Sequence, residues 1–177
     1  VAKRNILVVG GTHSGKTTLM NTLLEEVPLR DRIVTVEDSR ELALRQQNQV
    51  NLLSSRGDQG VSAVKASDLL IASLRLRPDR IIFGELRGAE AFAWLRAVAS
   101  AHPGSISSVH AESGEDAYQQ IGMMTSEGSN MPFDYVVDFA RKVIDIVVVM
   151  TRLRIEGRDR YVISAIEWKG ATGAKDD

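Results

Sequence analysis

Cysteine is absent from the 177 residues, which excludes a disulfide scaffold and any thiolate metal site and fits a reducing compartment. An excess of one charge is lacking too. The 22 Lys and Arg against 23 Asp and Glu give a formal net charge of -1, with both signs mixed along the chain. Such a chain has no broad basic field to hold duplex nucleic acid, so direct sequence-specific nucleic-acid binding is not expected. Long apolar runs are missing as well. The longest, Val143 to Met150, is interrupted by Asp145, whereas a transmembrane helix needs about 20 apolar residues. No signal-peptide pattern opens the chain, and no repeat runs through it. What remains is a chain 44% hydrophobic and 25% charged, enough for one domain with a full-sized core. Because it opens at Val1 and reaches a glycine-rich loop by Gly10, we expect a piece of a longer protein that lacks an N-terminal domain.

The pattern alternates strand with helix. Asn5–Val9 is β-branched and stops at Gly10-Gly11, after which Lys16–Glu26 carries helical apolar spacing at Leu19, Met20, Leu23 and Leu24. Arg32–Val36 predicts a second strand with Glu37 and Asp38 at its C-terminal end. Residues 39–64 are polar and irregular, with short strands expected around Leu42–Leu44 and Val50–Leu53. Asp68–Leu76 predicts a helix capped by Ser67 and ended by Pro78. Arg80–Phe83 predicts a strand before Gly84-Glu85, and Ala89–Ala101 a helix. Ser105–Val109 then leads to His110, and Ser113 with Asp116 forms a capping box opening a helix to about Met124. Pro132 suits the first turn of a helix carrying Phe133, Val136, Val137 and Ala140 on one face. Val143–Thr151 and Arg160–Trp168 predict a closing β-hairpin around Glu156-Gly157. The order implies an α/β fold, a mainly parallel sheet flanked by helices on both faces, with ligand at the strands' C-terminal ends. Residues 1–169 are expected to form one nucleotide-binding domain and 170–177 a disordered tail.

Gly10-Gly11-Thr12-His13-Ser14-Gly15-Lys16-Thr17 satisfies G-x-x-x-x-G-K-[ST], the spacing with which backbone amides turn inward around phosphate oxygens. A helix opening at Lys16 adds the positive end of its dipole. Gly11, Thr12, His13, Ser14, Gly15, Lys16, Thr17 and Thr18 are therefore the candidate ATP-binding residues. Lys16 reaches the β- and γ-phosphates, and the Thr17 hydroxyl completes a Mg²⁺ shell. His13 stands where many such loops have glycine. If that position needs a positive φ, His carries strain there.

Hydrolysis also needs a carboxylate near the metal and a group that orients the attacking water. Arg80-Ile81-Ile82-Phe83-Gly84-Glu85 has the apolar strand of a Walker B segment but places Gly84 where an aspartate commonly stands, leaving Glu85 as its carboxylate. Glu85 is the leading catalytic and metal candidate, with Glu37 second in both roles and Asp38 third. Arg87 either stabilises phosphate charge or simply pairs with Glu85 or Glu90. His110, ending a strand on the expected ligand edge, suits a contact to a γ-phosphate or to the attacking water. His102, Met123-Met124, the two Trp and the Arg56-Gly57-Asp58 tripeptide have bland explanations in packing, turns or chance.

Taken together, four segments resemble the secretion ATPase superfamily, most closely its type IV secretion and conjugal-transfer members. G-G-T-H-S-G-K-T-T at 10–18 is similar to its Walker A, I-V-T-V-E-D-S-R-E-L at 33–42 to its Asp box, L-R-L-R-P-D-R-I-I-F-G-E-L-R-G-A-E-A-F at 74–92 to its atypical Walker B, and A-H-P-G-S-I-S-S-V-H-A at 101–111 to its His box. His13, Ser39 and Ala101 depart from the family pattern. The resemblance implies a RecA-like P-loop domain of a homo-hexameric ATPase. Its hydrolysis would drive secretion, conjugal DNA transfer or pilus assembly from the cytoplasmic face of the inner membrane, beside other secretion-system components. Two further readings stay open on the residues alone: a nucleotide-gated scaffold with little hydrolysis, and a P-loop small-molecule kinase, although no Arg-rich lid is evident.

Overall fold

In the computed structural model, residues 3–55, 63–100, 102–128 and 130–169 are described. The elements in chain order are β1 (Ile6–Val9), α1 (Lys16–Glu25), β2 (Ile33–Glu37), β3 (Gln49–Leu53), α2 (Ala66–Leu74), β4 (Arg80–Leu86), α3 (Glu90–Ser100), β5 (Ile106–Val109), α4 (Gly114–Gly128), α5 (Phe133–Val143), β6 (Ile146–Ile155) and β7 (Arg158–Trp168). The strands form one seven-stranded sheet in the order β3-β2-β4-β5-β1-β6-β7. Every pairing is parallel except β6 with β7.

β1 is apolar at every position because both of its faces are covered. Leu7, Val9, Val147 and Val149 face the larger core cluster, which holds residues of α2, α3, α4 and α5 and is centred on the fully buried Trp94. Val8, Ile82, Ile106 and Met150 face the smaller cluster under Met20 and Leu24 of α1. Helices therefore cover both faces, with α1 on one side and the other four on the opposite side. A buried ion pair ties the far end of the sheet together. Arg80, 4% exposed, donates to Asp31 at 2.8 Å and to the Gly104 carbonyl at 3.0 Å.

Several boundaries differ from the sequence-based expectation, each for a local reason. Ser67 does not cap α2. The Asp68 and Leu69 amides bond to the Lys65 carbonyl, so the helix starts at Ala66 with Lys65 at the cap. β4 runs on past Phe83 to Leu86, because its register against β5 shifts between those residues and Gly84 accommodates the irregularity. No strand forms at Leu42–Leu44, whose leucines pack instead against the α1-side cluster. α4 extends beyond Met124 to Gly128. Val143 belongs to α5 rather than to a strand, since it continues the buried stripe of Val136, Val137 and Ala140. The hairpin turn at Glu156 (φ 50) and Gly157 (φ 74) lies where the sequence puts it. Ser113 accepts from the Asp116 amide at 3.1 Å, and its hydroxyl donates to the Asp116 carboxylate. The Arg56-Gly57-Asp58 tripeptide, Ala101 and the 170–177 tail lie outside the described residues.

Candidate active site

The β1-to-α1 loop, 10–15, sits at the C-terminal edge of the parallel strands, between neighbours β5 and β6. Two of its residues adopt left-handed backbone, Gly15 at φ 91 and His13 at φ 57. His13 therefore holds the strained conformation anticipated from its substitution for glycine. Gly10 is needed for a different reason: a Cβ there would collide with the Met150 carbonyl oxygen and with Ser14 Oγ. α1 opens with no side-chain cap, leaving its N-terminal amides directed at the loop.

Lys16 is 8% exposed and spends all three ammonium protons locally. They go to the Gly10 carbonyl at 2.8 Å, the Gly11 carbonyl at 3.1 Å and His110 Nδ1 at 3.3 Å. Because an ammonium can only donate, Nδ1 is the acceptor, which puts the imidazole proton on Nε2. That nitrogen lies 2.6 Å from Glu85 Oε1. Lys16 Nζ itself is 4.0 Å from the same oxygen. Burial pushes the Lys16 pKa below 10.5, with Glu85 acting against the shift and Arg87 adding to it.

Arg87 binds the other oxygen of Glu85, its Nε donating at 2.6 Å, and reaches across to Asp38 at the end of β2. Burial alone would lower the guanidinium pKa, but the hydrogen bonds and charges of Glu85 and Asp38 outweigh it and hold Arg87 above its ordinary value. Glu85 Oε1 is buried and has no aligned hydrogen-bond donor among the described residues. It is the Glu85 oxygen that Arg87 does not hold, with the His110 Nε2–H close by but not aligned on it.

The expected residues thus converge, with differences in role. Glu37 is 5% exposed, and its Oε1 accepts the Glu41 and Leu42 amides, both at 2.9 Å. It shapes the loop after β2 as well as lining the cavity. Thr12, Ser14 and Thr18 line the same cavity, of about 780 Å³. Gly11 contributes its carbonyl, and no atom comes within 4 Å of where its Cβ would stand. Ser14 Oγ is buried without a partner among the described residues. His102 is structural, with Nδ1 3.1 Å from the Ala97 carbonyl oxygen. Sequence reasoning missed Glu41, whose Oε2 accepts the Thr17 hydroxyl at 3.1 Å. It also missed Met150, Tyr161 and Ile163 as pocket residues. The hairpin that carries these three was legible, but its register, which decides the face they occupy, was not. Among the described residues no three His, Cys, Asp or Glu gather as a metal cage. Such a cage is not required for Mg²⁺, which takes much of its shell from substrate phosphates and water.

Residues 1–154 match the family model described as Type II/IV secretion system protein. The chain belongs to that family. It is 47% identical over 167 residues to the type IV secretion system protein PtlH of Bordetella pertussis, an alignment covering 92% of this chain and 49% of that protein. To VirB11 of Bartonella quintana the identity is 40% over 159 residues, 88% of this chain and 44% of that one. The crystal structure of the VirB11 ATPase from the Brucella suis type IV secretion system, in complex with sulphate, superposes with a TM-score of 0.82 at 36% identity, covering 94% of this chain and 48% of that one. The chain therefore spans about half the length of the relatives it matches. Its fold is the RecA-like α/β architecture implied by its four motifs. Among the described residues no helix is long and apolar enough to cross a membrane.

Proposed function

We propose that this chain is the ATP-hydrolysing motor domain of a type IV secretion ATPase, with residues 1–169 forming the RecA-like unit. In the intact protein it works as a homo-hexamer at the cytoplasmic face of the inner membrane, powering secretion, conjugal transfer or pilus assembly with its partner components. The observation that carries the reading is the convergence of Lys16, His110 and Glu85 over an uncapped helix N-terminus.

The residues suit a magnesium-bound triphosphate. The left-handed Gly15, the buried and unpartnered Ser14 hydroxyl and the three-donor Lys16 form a cradle of donors for anionic oxygen. The donor set for the metal, Thr17 with Glu85 and Glu37 nearby, is all oxygen, as Mg²⁺ requires. Magnesium supplies charge neutralisation when bound. Lys16 exchanges its carbonyl contacts for phosphate oxygens. Glu85 Oε1 orients the attacking water and receives its proton, while Arg87 fixes the rest of that carboxylate. His110, bridging Lys16 and Glu85, ties the position of the phosphate-binding cation to the position of the base.

Phosphate release by the intact protein tests this. Lys16→Ala and Glu85→Gln should each lower turnover at least a hundredfold, on the scale of general-base and charge-stabilising groups. Turnover that survives both substitutions refutes the assignment. ATP binding without turnover in the wild type favours the scaffold reading, for which the strained His13 is the motivating feature.

A further inference from the structure

In P-loop enzymes a carboxylate at the end of an apolar strand commonly works beside the loop's threonine at the metal. β4 does not supply that partner here. Gly84 stands at the position, and the Glu85 that follows it faces Arg87 and His110. The carboxylate that reaches the Thr17 hydroxyl comes instead from the loop after β2, where Glu41 Oε2 accepts it at 3.1 Å.

That loop is strapped along the whole length of α1. Glu37 Oε1 accepts the Glu41 and Leu42 amides. Asn21 donates to the Glu41 carbonyl at 3.0 Å and accepts the Ala43 amide at 2.9 Å. Leu42 and Leu44 pack against the α1-side cluster. At the far end Gln46, 0% exposed, donates to the Leu24 carbonyl at 3.3 Å and the Val27 carbonyl at 2.9 Å, covering the C-terminal end of the helix. A glutamate on a free loop samples many rotamers. Glu41 instead has its amide and its carbonyl both held, and Ser39 Oγ donates to its second carboxylate oxygen at 3.2 Å.

We infer that Glu41 is the positioning residue of Thr17, the acceptor that turns this hydroxyl so that its lone pairs face the cation of a magnesium-nucleotide complex. The inference rests on the reading of 10–17 as a triphosphate site. A hydroxyl has one proton and two lone pairs. A lone pair given to a cation makes the proton more acidic, and a carboxylate is the acceptor that answers it best. The bond between Thr17 and Glu41 is therefore compatible with ligation and does not compete with it. Glu41 acts through Thr17 without touching the ion, and the strap sets the direction of the hydroxyl before nucleotide arrives.

Calorimetry on the intact protein with the β,γ-imido analogue of ATP, in EDTA and in excess magnesium, tests this. The wild type should bind more tightly with magnesium. Glu41→Ala should leave the affinity in EDTA unchanged and cut the magnesium gain by about ten- to a hundredfold, the usual scale for losing the hydrogen-bond partner of a metal ligand. In a Thr17→Val background, which has no hydroxyl to direct, Glu41→Ala should have no further effect. A Glu41 that only anchors the loop gives a different result: affinity falls equally in both buffers, and the loss adds to that of Thr17→Val. That outcome, or an unchanged magnesium gain in Glu41→Ala, overturns the inference and leaves the triphosphate site standing. Should Thr17→Val fail to fold, the contrast between EDTA and magnesium in Glu41→Ala decides. A wild type indifferent to magnesium also overturns the inference, and one that binds the analogue in neither buffer removes the triphosphate reading itself.

Discussion

Gly10 and Gly11 are adjacent glycines in one loop, yet replacing each with alanine should have very unequal consequences. At Gly10 the new methyl would overlap the Met150 carbonyl oxygen and Ser14 Oγ and sit 3.1 Å from Ser14 Cβ. The carbonyl belongs to the backbone of β6 and cannot rotate away. Restoring ordinary contact requires about 1 Å of movement by the loop. Overpacking of this kind costs about 1–3 kcal/mol, or roughly 2–12 °C in Tm for a chain of this size. The same displacement misplaces phosphate donors, and an error of about 1 Å in a reacting group costs about a hundredfold in rate. At Gly11 nothing lies within 4 Å of the added methyl, and φ is not positive, so Gly11→Ala should stay within about 0.5 kcal/mol of the wild type. Thermal unfolding by circular dichroism, with ATP titration by calorimetry, measures both effects. Equal melting temperatures for the two variants, or a larger loss in Gly11→Ala, would refute the steric argument.

Two further outcomes follow from buried charge. Asp31→Ala leaves the Arg80 guanidinium buried with the Gly104 carbonyl as its one remaining acceptor among the described residues, so urea unfolding should show a loss of about 3–5 kcal/mol; replacing both partners with apolar residues should recover much of it, and a single variant as stable as the wild type contradicts the account. Lys16 has its folded pKa below 10.5, so between that lowered value and 10.5 the unfolded chain binds more protons and stability rises with pH. Lys16→Met should therefore stabilise the ligand-free protein at neutral pH and flatten this rise, which urea titrations up to pH 10.5 would detect.

Much of the site was readable from residue spacing because phosphate chemistry constrains the backbone itself. The glycines, Lys16 and the position of Glu85 after an apolar strand are local features, and local patterns survive in sequence. What escaped was set at a distance. Glu37 reads in the sequence as a second catalytic and metal carboxylate, but its Oε1 is held by amides of the loop that follows it. Glu41 gained a part only when its loop folded back onto α1. Tyr161 and Ile163 depend on a register irregularity between Val149 and Met150, and a one-residue slip in a strand moves every later side chain to the other face. The fold was legible for the same reason as the loop: its strands and helices alternate with clear punctuation at Gly10, Pro28, Pro78 and Pro132. The errors fell where caps and helix ends compete on nearly equal terms, as at Ser67 and Val143.

The place of β1 in the sheet has a consequence for how the protein comes into being. Ile6 lies beside Ile106 on one side and Ile146 on the other, so β1 waits for partners synthesised long after it. Closing such distant pairings is slow and entropically costly. Until they close, the glycine loop has no scaffold to hold its shape. A nascent chain should therefore be unable to grip nucleotide until β6 has emerged, and the unpaired apolar edge of β1 is a natural object for chaperones in the interval.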